Sequence, residues 1–235
     1  MPPQLAENVL ALDSPVPARD RDQELVRFVG RHGLVAIRHV MAELGVGRTA
    51  AYRRVAGCVD AGLLERLDIL SYEPGLLRAT REGLRYAGLG LPLAKISPGS
   101  VEHMLRCTTT AQRLGEHYGH DRVRSEREIV LAEQIAGKAL ASADLGERHG
   151  RVRLHRPDLA VLTDEGTIAI EVELTPKAPH RLQGLIRSWR RAIGSRLITE
   201  VHYHCAPGQT RQAVERAVSK VRAEKFIQIG EAVSR

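Results

Sequence analysis

Two apolar runs, at 159–163 and 167–174, flank the turn Asp164-Glu165-Gly166, and this is the most constraining pattern in the chain. Short apolar runs closed by a glycine turn read as paired β-strands, so the C-terminal half is committed to a sheet. The second run, TIAIEVEL, carries Glu171 and Glu173 two residues apart. Alternate strand residues face the same way, so both carboxylates are expected on one side, with Ile170, Val172 and Leu174 turned into the core. Around this hairpin the spacing predicts a helix over 126–140, a strand over 152–154, a long helix over 176–193, a strand over 198–205, a helix over 210–222 and a short strand over 226–229. Strands alternating with helices imply a mixed sheet with helices packed on its faces.

The N-terminal half has a different texture. Leu25, Val26 and Val29 recur at helical spacing from Asp20 to a stop at His32-Gly33. A second helix is expected over 35–44, with Ile37, Val40 and Met41 inward, then a tight turn at Gly45-Val46-Gly47. A third helix over 48–61 ends at Gly62, the residue type that suits a helix C-terminus. Strands over 63–70 and 76–79 flank Glu73-Pro74-Gly75, and a helix over 81–87 closes the unit. The glycine- and proline-rich stretches 88–92 and 97–100 mark a boundary. Beyond it a helix over 101–118 sets Met104, Leu105, Thr108, Ala111 and Leu114 on one stripe; it links the halves and is also the candidate support for a homodimer. The expected organisation is therefore a flexible tail over 1–18, a first domain over 19–90, a linker helix over 91–119 and a second domain over 120–235.

The segment LGVGRTAAYRRVAGCVDAGLLERL resembles the recognition-helix region of winged helix-turn-helix regulators. LLRATREGLRYAG resembles their wing and closing helix, with Ala79-Thr80 where Leu-Thr is usual. Ala51, Val55, Cys58 and Val59 fall on one helical face for packing. The resemblance implies a DNA-binding surface of Arg48, Thr49, Tyr52, Arg53 and Arg54, with Arg78 and Arg81 near the adjacent backbone. Arg48 and Arg53 are the candidates to read guanine, although arginine contacts to phosphate are commoner.

Charge points the same way. Lys plus Arg number 35 against 28 Asp plus Glu, a net charge of +7, and guanidinium forks suit phosphate oxygens. With aromatics at only 3% the core must be aliphatic. Cys58, Cys107 and Cys205 are scattered and odd in number, which argues against a disulfide framework and against a zinc site. The opening residues have neither a basic n-region nor a long apolar run, and no stretch approaches a membrane span, so a cytoplasmic protein without a membrane partner is expected.

The segment RPDLAVLTDEGTIAIEVELTPK resembles the core of PD-(D/E)XK nucleases. The resemblance implies that Asp158 and Glu171 share a metal, Mg²⁺ if the domain is catalytically active, which would activate water at a phosphodiester. The departure is Glu173, which stands where that superfamily has lysine. Lys177, four residues on and expected just inside the next helix behind a Thr175-Pro176 cap, is a candidate replacement. Glu128 is a further candidate acid, but Ser125-Glu126-Arg127-Glu128 also matches a capping box, the preferred reading, and Glu126 is weaker still. In the long helix Leu182, Leu185, Ile186, Trp189 and Ile193 form an apolar stripe. Arg181, Arg187, Arg190 and Arg191 lie around the rest, with no acid from Lys177 to Thr199. An uncompensated basic face beside such a site suits DNA. His202 and His204 alternate on one strand, but no third ligand accompanies them.

The order of these parts resembles the replication-relaxation family of bacterial plasmids and mobile elements, from about Asp20 onward. The fold class expected is α+β: a winged helix-turn-helix, a linker helix and a PD-(D/E)XK-like α/β domain with a central mixed sheet. The function expected is double-stranded DNA binding by a replication accessory or transcriptional regulator with a degenerate nuclease-like domain. The alternatives are a Mg²⁺-dependent endonuclease and a protein-interaction adaptor.

Overall fold

The computed structural model describes residues 21–73 and 75–232, apart from the side chains of Arg148 and Arg151. The expected tail over 1–18 and Pro74 at the turn tip lie outside the described residues. The fold is α+β, and the chain divides into two compact units between Gln112 and Arg113.

In the first unit, α1 (Arg21–His32) buries Leu25, Val26, Phe28 and Val29. Its acids Asp22 and Glu24 sit in the first turn and Arg31 and His32 in the last, the order that suits the helix dipole. α2 (Ile37–Leu44) starts two residues later than expected, because Val35 forms an antiparallel bridge with Leu77. Ile37 and Met41 are only half-buried; the inward residues are Val40 and, unexpectedly, His39. The His39 ring accepts from the Ala36 amide at 3.1 Å and shares a hydrogen bond with Thr109 at 3.0 Å. Burial, with Arg38 and His32 nearby, pushes its pKa down to about 3, so it is a neutral core histidine. α3 (Arg48–Asp60) buries Ala51, Val55 and Cys58, while Val59 is half-exposed. β1 (Leu64–Leu67) and β2 (Leu76–Ala79) pair antiparallel, and α4 (Arg81–Tyr86) is capped by the Thr80 hydroxyl, which accepts from the Gly83 amide. The first turns of α5 (Val101–Tyr118) belong to this core: Val101 and Leu105 pack with Leu34, Ala36 and Leu76, and Gln112 donates to the His39 carbonyl at 2.9 Å.

The second unit holds a five-stranded mixed sheet in the order β3-β6-β7-β8-β9. β3 (Val123–Ser125), β6 (Leu159–Thr163) and β7 (Gly166–Glu173) are antiparallel neighbours; β8 (Glu200–Cys205) and β9 (Ile227–Glu231) continue in parallel with β7. Parallel neighbours need crossovers, supplied here by α7 (Pro179–Gly194) and α8 (Gln209–Val221). Both helices cover one face, where Leu182, Ile186, Trp189, Val214 and Val218 pack with Ala169, Val201 and Tyr203. α6 (Glu126–Ala136) stops four residues before the expected end, with Gly137 as a left-handed cap at φ 64°. The hairpin β4 (Ala143–Arg148) and β5 (Arg151–His155) forms a separate sheet; only its second strand was expected.

One expectation changes here. α7 begins at Pro179 behind Ala178 and not at the Thr175-Pro176 cap, so Lys177 lies in the connecting segment and not in the helix. The same-face placement of Glu171 and Glu173 carries them into the interior, not to an outer surface: every residue from Ile168 to Glu173 is buried.

Glu133 anchors the approach to the hairpin. It is 4% exposed, and its Oε1 accepts from the amides of Leu140, Ala141 and Ser142 at 3.0–3.2 Å. Glu133→Ala orphans three buried donors, each costing about 1–3 kcal/mol before relaxation. Chemical denaturation should show a loss of about 3 kcal/mol, and a loss below about 0.5 kcal/mol would mean the segment finds other acceptors.

Candidate functional site: a buried carboxylate cluster and two basic helix faces

β7 delivers Glu171 and Glu173 beneath α7, at 2% and 5% exposure. An ionised carboxylate in such a place must find cations or donors within the fold. Glu171 Oε1 lies 2.7 Å from His155 Nε2, at the end of β5. Glu173 is ion-paired with the Lys177 ammonium, which returns from the segment before α7. Asp158, just before β6, accepts the Val172 amide at 2.7 Å through Oδ2, and its own carbonyl accepts the Glu126 amide at 3.0 Å.

The protonation states follow from this enclosure. Burial raises the Glu171 pKa above its ordinary value; the hydrogen bond and charge of His155 oppose the rise, and Asp158 adds to it. For His155, burial works against the charged form, but the hydrogen bond and charge of Glu171, with Asp158, outweigh it and raise the pKa. Opposite Glu171 on β8 stands Tyr203, fully buried, its phenol held well above the usual range by burial and then by Glu171 and Glu173. The Trp189 N–H lies near enough to influence that phenol, but neither Trp189 Nε1 nor the Tyr203 hydroxyl reaches hydrogen-bond geometry with a partner. Trp189 also meets the His155 ring edge-on at 5.6 Å.

Of the expected site residues, Asp158, Glu171, Glu173 and Lys177 belong to this cluster. Glu128 does not join it through the contact seen: it completes the capping box of α6, its Oε2 accepting from the Ser125 amide at 2.9 Å while Ser125 Oγ accepts from the Glu128 amide. Sequence reasoning passed over His155 and Tyr203. The available signal for His155 was its position three residues before Asp158 at a strand end. Tyr203 was masked by its neighbours His202 and His204, which alternate to the other face; there His202 bonds Glu200 at 2.8 Å, and Glu200 also accepts from Gln228.

The arrangement is a poor fit for Mg²⁺. Within the second unit no three Asp, Glu, His or Cys side chains among the described residues bring ligand atoms within 4.8 Å of one another. One Glu171 oxygen, Oε1, is hydrogen-bonded to the His155 imidazole, and Glu173 is ion-paired with Lys177. A dication would have to displace one of these or sit against it.

Two helix faces carry exposed cations. On α3, Arg48, Thr49 and Arg53 are exposed, and Tyr52 is half-buried with Arg48 at 5.6 Å and Arg66 at 6.0 Å from its ring centre. The first turn has no acid, and Gly47 provides no side-chain cap, so its amides stay oriented outward. Arg54 instead lies 3.5 Å from Asp22, and Arg78 bonds Glu65 at 2.8 Å and the Ala94 carbonyl at 3.1 Å, so both serve the fold of the first unit. Arg81, at the start of α4, is exposed. On α7, Arg181, Arg187, Arg190 and Arg191 are all exposed.

No protein-family model matches the chain, and no curated protein does either. No helix among the described residues is long and apolar enough to cross a membrane.

His155 and Glu171 both bind protons more tightly folded than unfolded. Stability from such groups is complete in acid, below the ordinary values of 4.5 and 6.5, and is lost as pH rises through the raised ones. The melting temperature should therefore fall as pH climbs above 6.5, and fall less in Glu171→Gln, which removes the buried charge. Parallel melting curves for the two proteins across that range would contradict the coupling.

Proposed function

We propose that the chain is a DNA-binding protein, with the first unit acting as a winged helix-turn-helix and the second as a PD-(D/E)XK-like domain without metal-dependent cleavage. The observation that carries the reading is the outward face of α3. Arg48, Thr49, Tyr52 and Arg53 present cations, a hydroxyl and an aromatic ring from the first two turns, with Arg66 of β1 alongside and no acid in the first turn. A helix entering the major groove reads base edges with its N-terminal residues, and exposed amides there favour a phosphate. Arg81 and the β1–β2 hairpin would act as the wing, on the adjacent backbone.

In the second unit, the cations on α7 would hold backbone phosphates. The carboxylate cluster supports a scaffolding role, since its charges are met by Lys177 and His155. The resemblance in motif order to the replication-relaxation family supports service to mobile or plasmid DNA, as a replication accessory or a regulator.

Supercoiled plasmid incubated with the protein and Mg²⁺ or Mn²⁺ should be retarded but not nicked, equally for Asp158→Ala. Nicking that disappears in Asp158→Ala would replace this reading with an endonuclease, and neither retardation nor nicking would leave a protein-interaction adaptor. Arg48→Ala and Arg53→Ala should each weaken duplex binding. Where the arginine meets a phosphate, its removal lowers the salt-dependence slope by about 1; where it reads a base, removal costs about 1–3 kcal/mol at one position of the site.

A further inference from the structure

Three arginines of α7 line a shallow depression that the duplex-binding reading does not use fully. Arg187, Arg190, Arg191 and Gly194 are spaced i, i+3, i+4 and i+7, so they share one face of the helix. Ile193 and Phe226 complete the lining. Arg190 Nη1 donates to the Val221 carbonyl at the end of α8 at 2.8 Å. Arg191 Nη2 donates to the Asp144 carbonyl and to Ser188 Oγ, each at 2.9 Å. These bonds orient two guanidinium groups without neutralising them. Among the described residues none of the three arginines forms an ion pair. Gly194 leaves open space where a side chain would stand.

The informative member is Phe226. It is one of only two phenylalanines in the chain, and it stays 39% exposed beside three uncompensated cations. An aromatic plate next to phosphate-binding groups matches a strand whose bases are unstacked, because each base offers a face to the ring while the backbone meets the arginines. A duplex keeps its bases stacked and offers only their edges in the grooves, so no base face is open to the ring.

We infer that this depression is a binding site for single-stranded nucleic acid, with the base on Phe226 and the phosphates on Arg187, Arg190 and Arg191. The inference rests on the DNA-binding reading above and narrows its substrate. It gives the second unit a task distinct from that of α3, namely to hold a strand that has been separated from its complement.

The test is fluorescence anisotropy of the full chain with labelled oligothymidylate and, separately, a labelled duplex of equal length. Phe226→Ala should weaken oligothymidylate binding about tenfold and leave duplex binding within about twofold, while Phe226→Tyr keeps wild-type affinity for both. Arg187→Ala should weaken oligothymidylate binding and flatten its salt dependence. Melting temperatures accompany each variant, and Phe226→Tyr carries the comparison if the alanine variant unfolds: it must retain oligothymidylate binding where Arg187→Ala loses it. The inference is overturned if Phe226→Ala binds oligothymidylate as the wild type does, or if it weakens both ligands equally. It is also overturned if thymidine monophosphate competes as well as the oligomer at equal nucleotide concentration, which would make the depression a mononucleotide pocket. Duplex binding without oligothymidylate binding sinks this inference alone; binding of neither sinks the DNA-binding reading as well.

Discussion

The second unit depends on the burial of one stripe of α7 against β7 and β8. Leu182, Ile186 and Trp189 are 1% exposed or less, and they press on Ala169, Val201 and Tyr203. Strand periodicity then leaves no freedom about the neighbours: if Ala169 faces α7, Glu171 and Glu173 face it too. Two carboxylates are thereby carried into a core that an all-apolar strand would have filled at less cost. Removing one ionised group from water costs several kcal/mol unless it is paired, so the cluster around β7 must be balanced from inside. Lys177, His155 and the Val172 amide provide that balance.

This constraint separates the roles of charge in the protein. The cations that meet the carboxylates are wholly or partly withdrawn from solvent, and they hold the fold. Others, on the outward faces of α3 and α7, have no such obligation. On the reading proposed above, these are the groups that meet nucleic acid. The same distinction applies within the first unit, where Arg78 and Arg54 bind Glu65 and Asp22 while Arg48 and Arg53 stay exposed. Arginine count alone does not draw that line; partners do.

Much of this was legible in the residues. The 3.6 period placed α5 at Val101–Tyr118, and the apolar run placed β6 at Leu159–Thr163, both with the bounds expected. The strands that escaped have reasons. β3 is three residues long and contains an arginine, and β4 reads ADLGER with a register shift between Asp144 and Glu147, so neither shows alternation. The start of α7 was misread because Pro176 and Pro179 both suit a first helical turn; the later one begins the helix, and the segment before it carries Lys177. In the site, the carboxylates were visible as a same-face pair. Their partners were not, because His155 comes from a hairpin outside the main sheet and Tyr203 from across a crossover.

Glu173 is the position where these threads meet. Glu173 adds a second carboxylate to a strand that already holds Glu171, and a buried charge of that kind is costly unless a cation meets it. Lys177 returns, but as the partner of that same glutamate. An ammonium held by a carboxylate has its charge largely cancelled at short range, so it is weakly placed to offset charge developing on a distant phosphate. The pair therefore gives the fold electrostatic balance without leaving that ammonium free. A strand with this pattern can persist as a scaffold for as long as α7 covers it, and the outward arginines of that same helix are then presented on a surface whose geometry the buried pairs keep fixed.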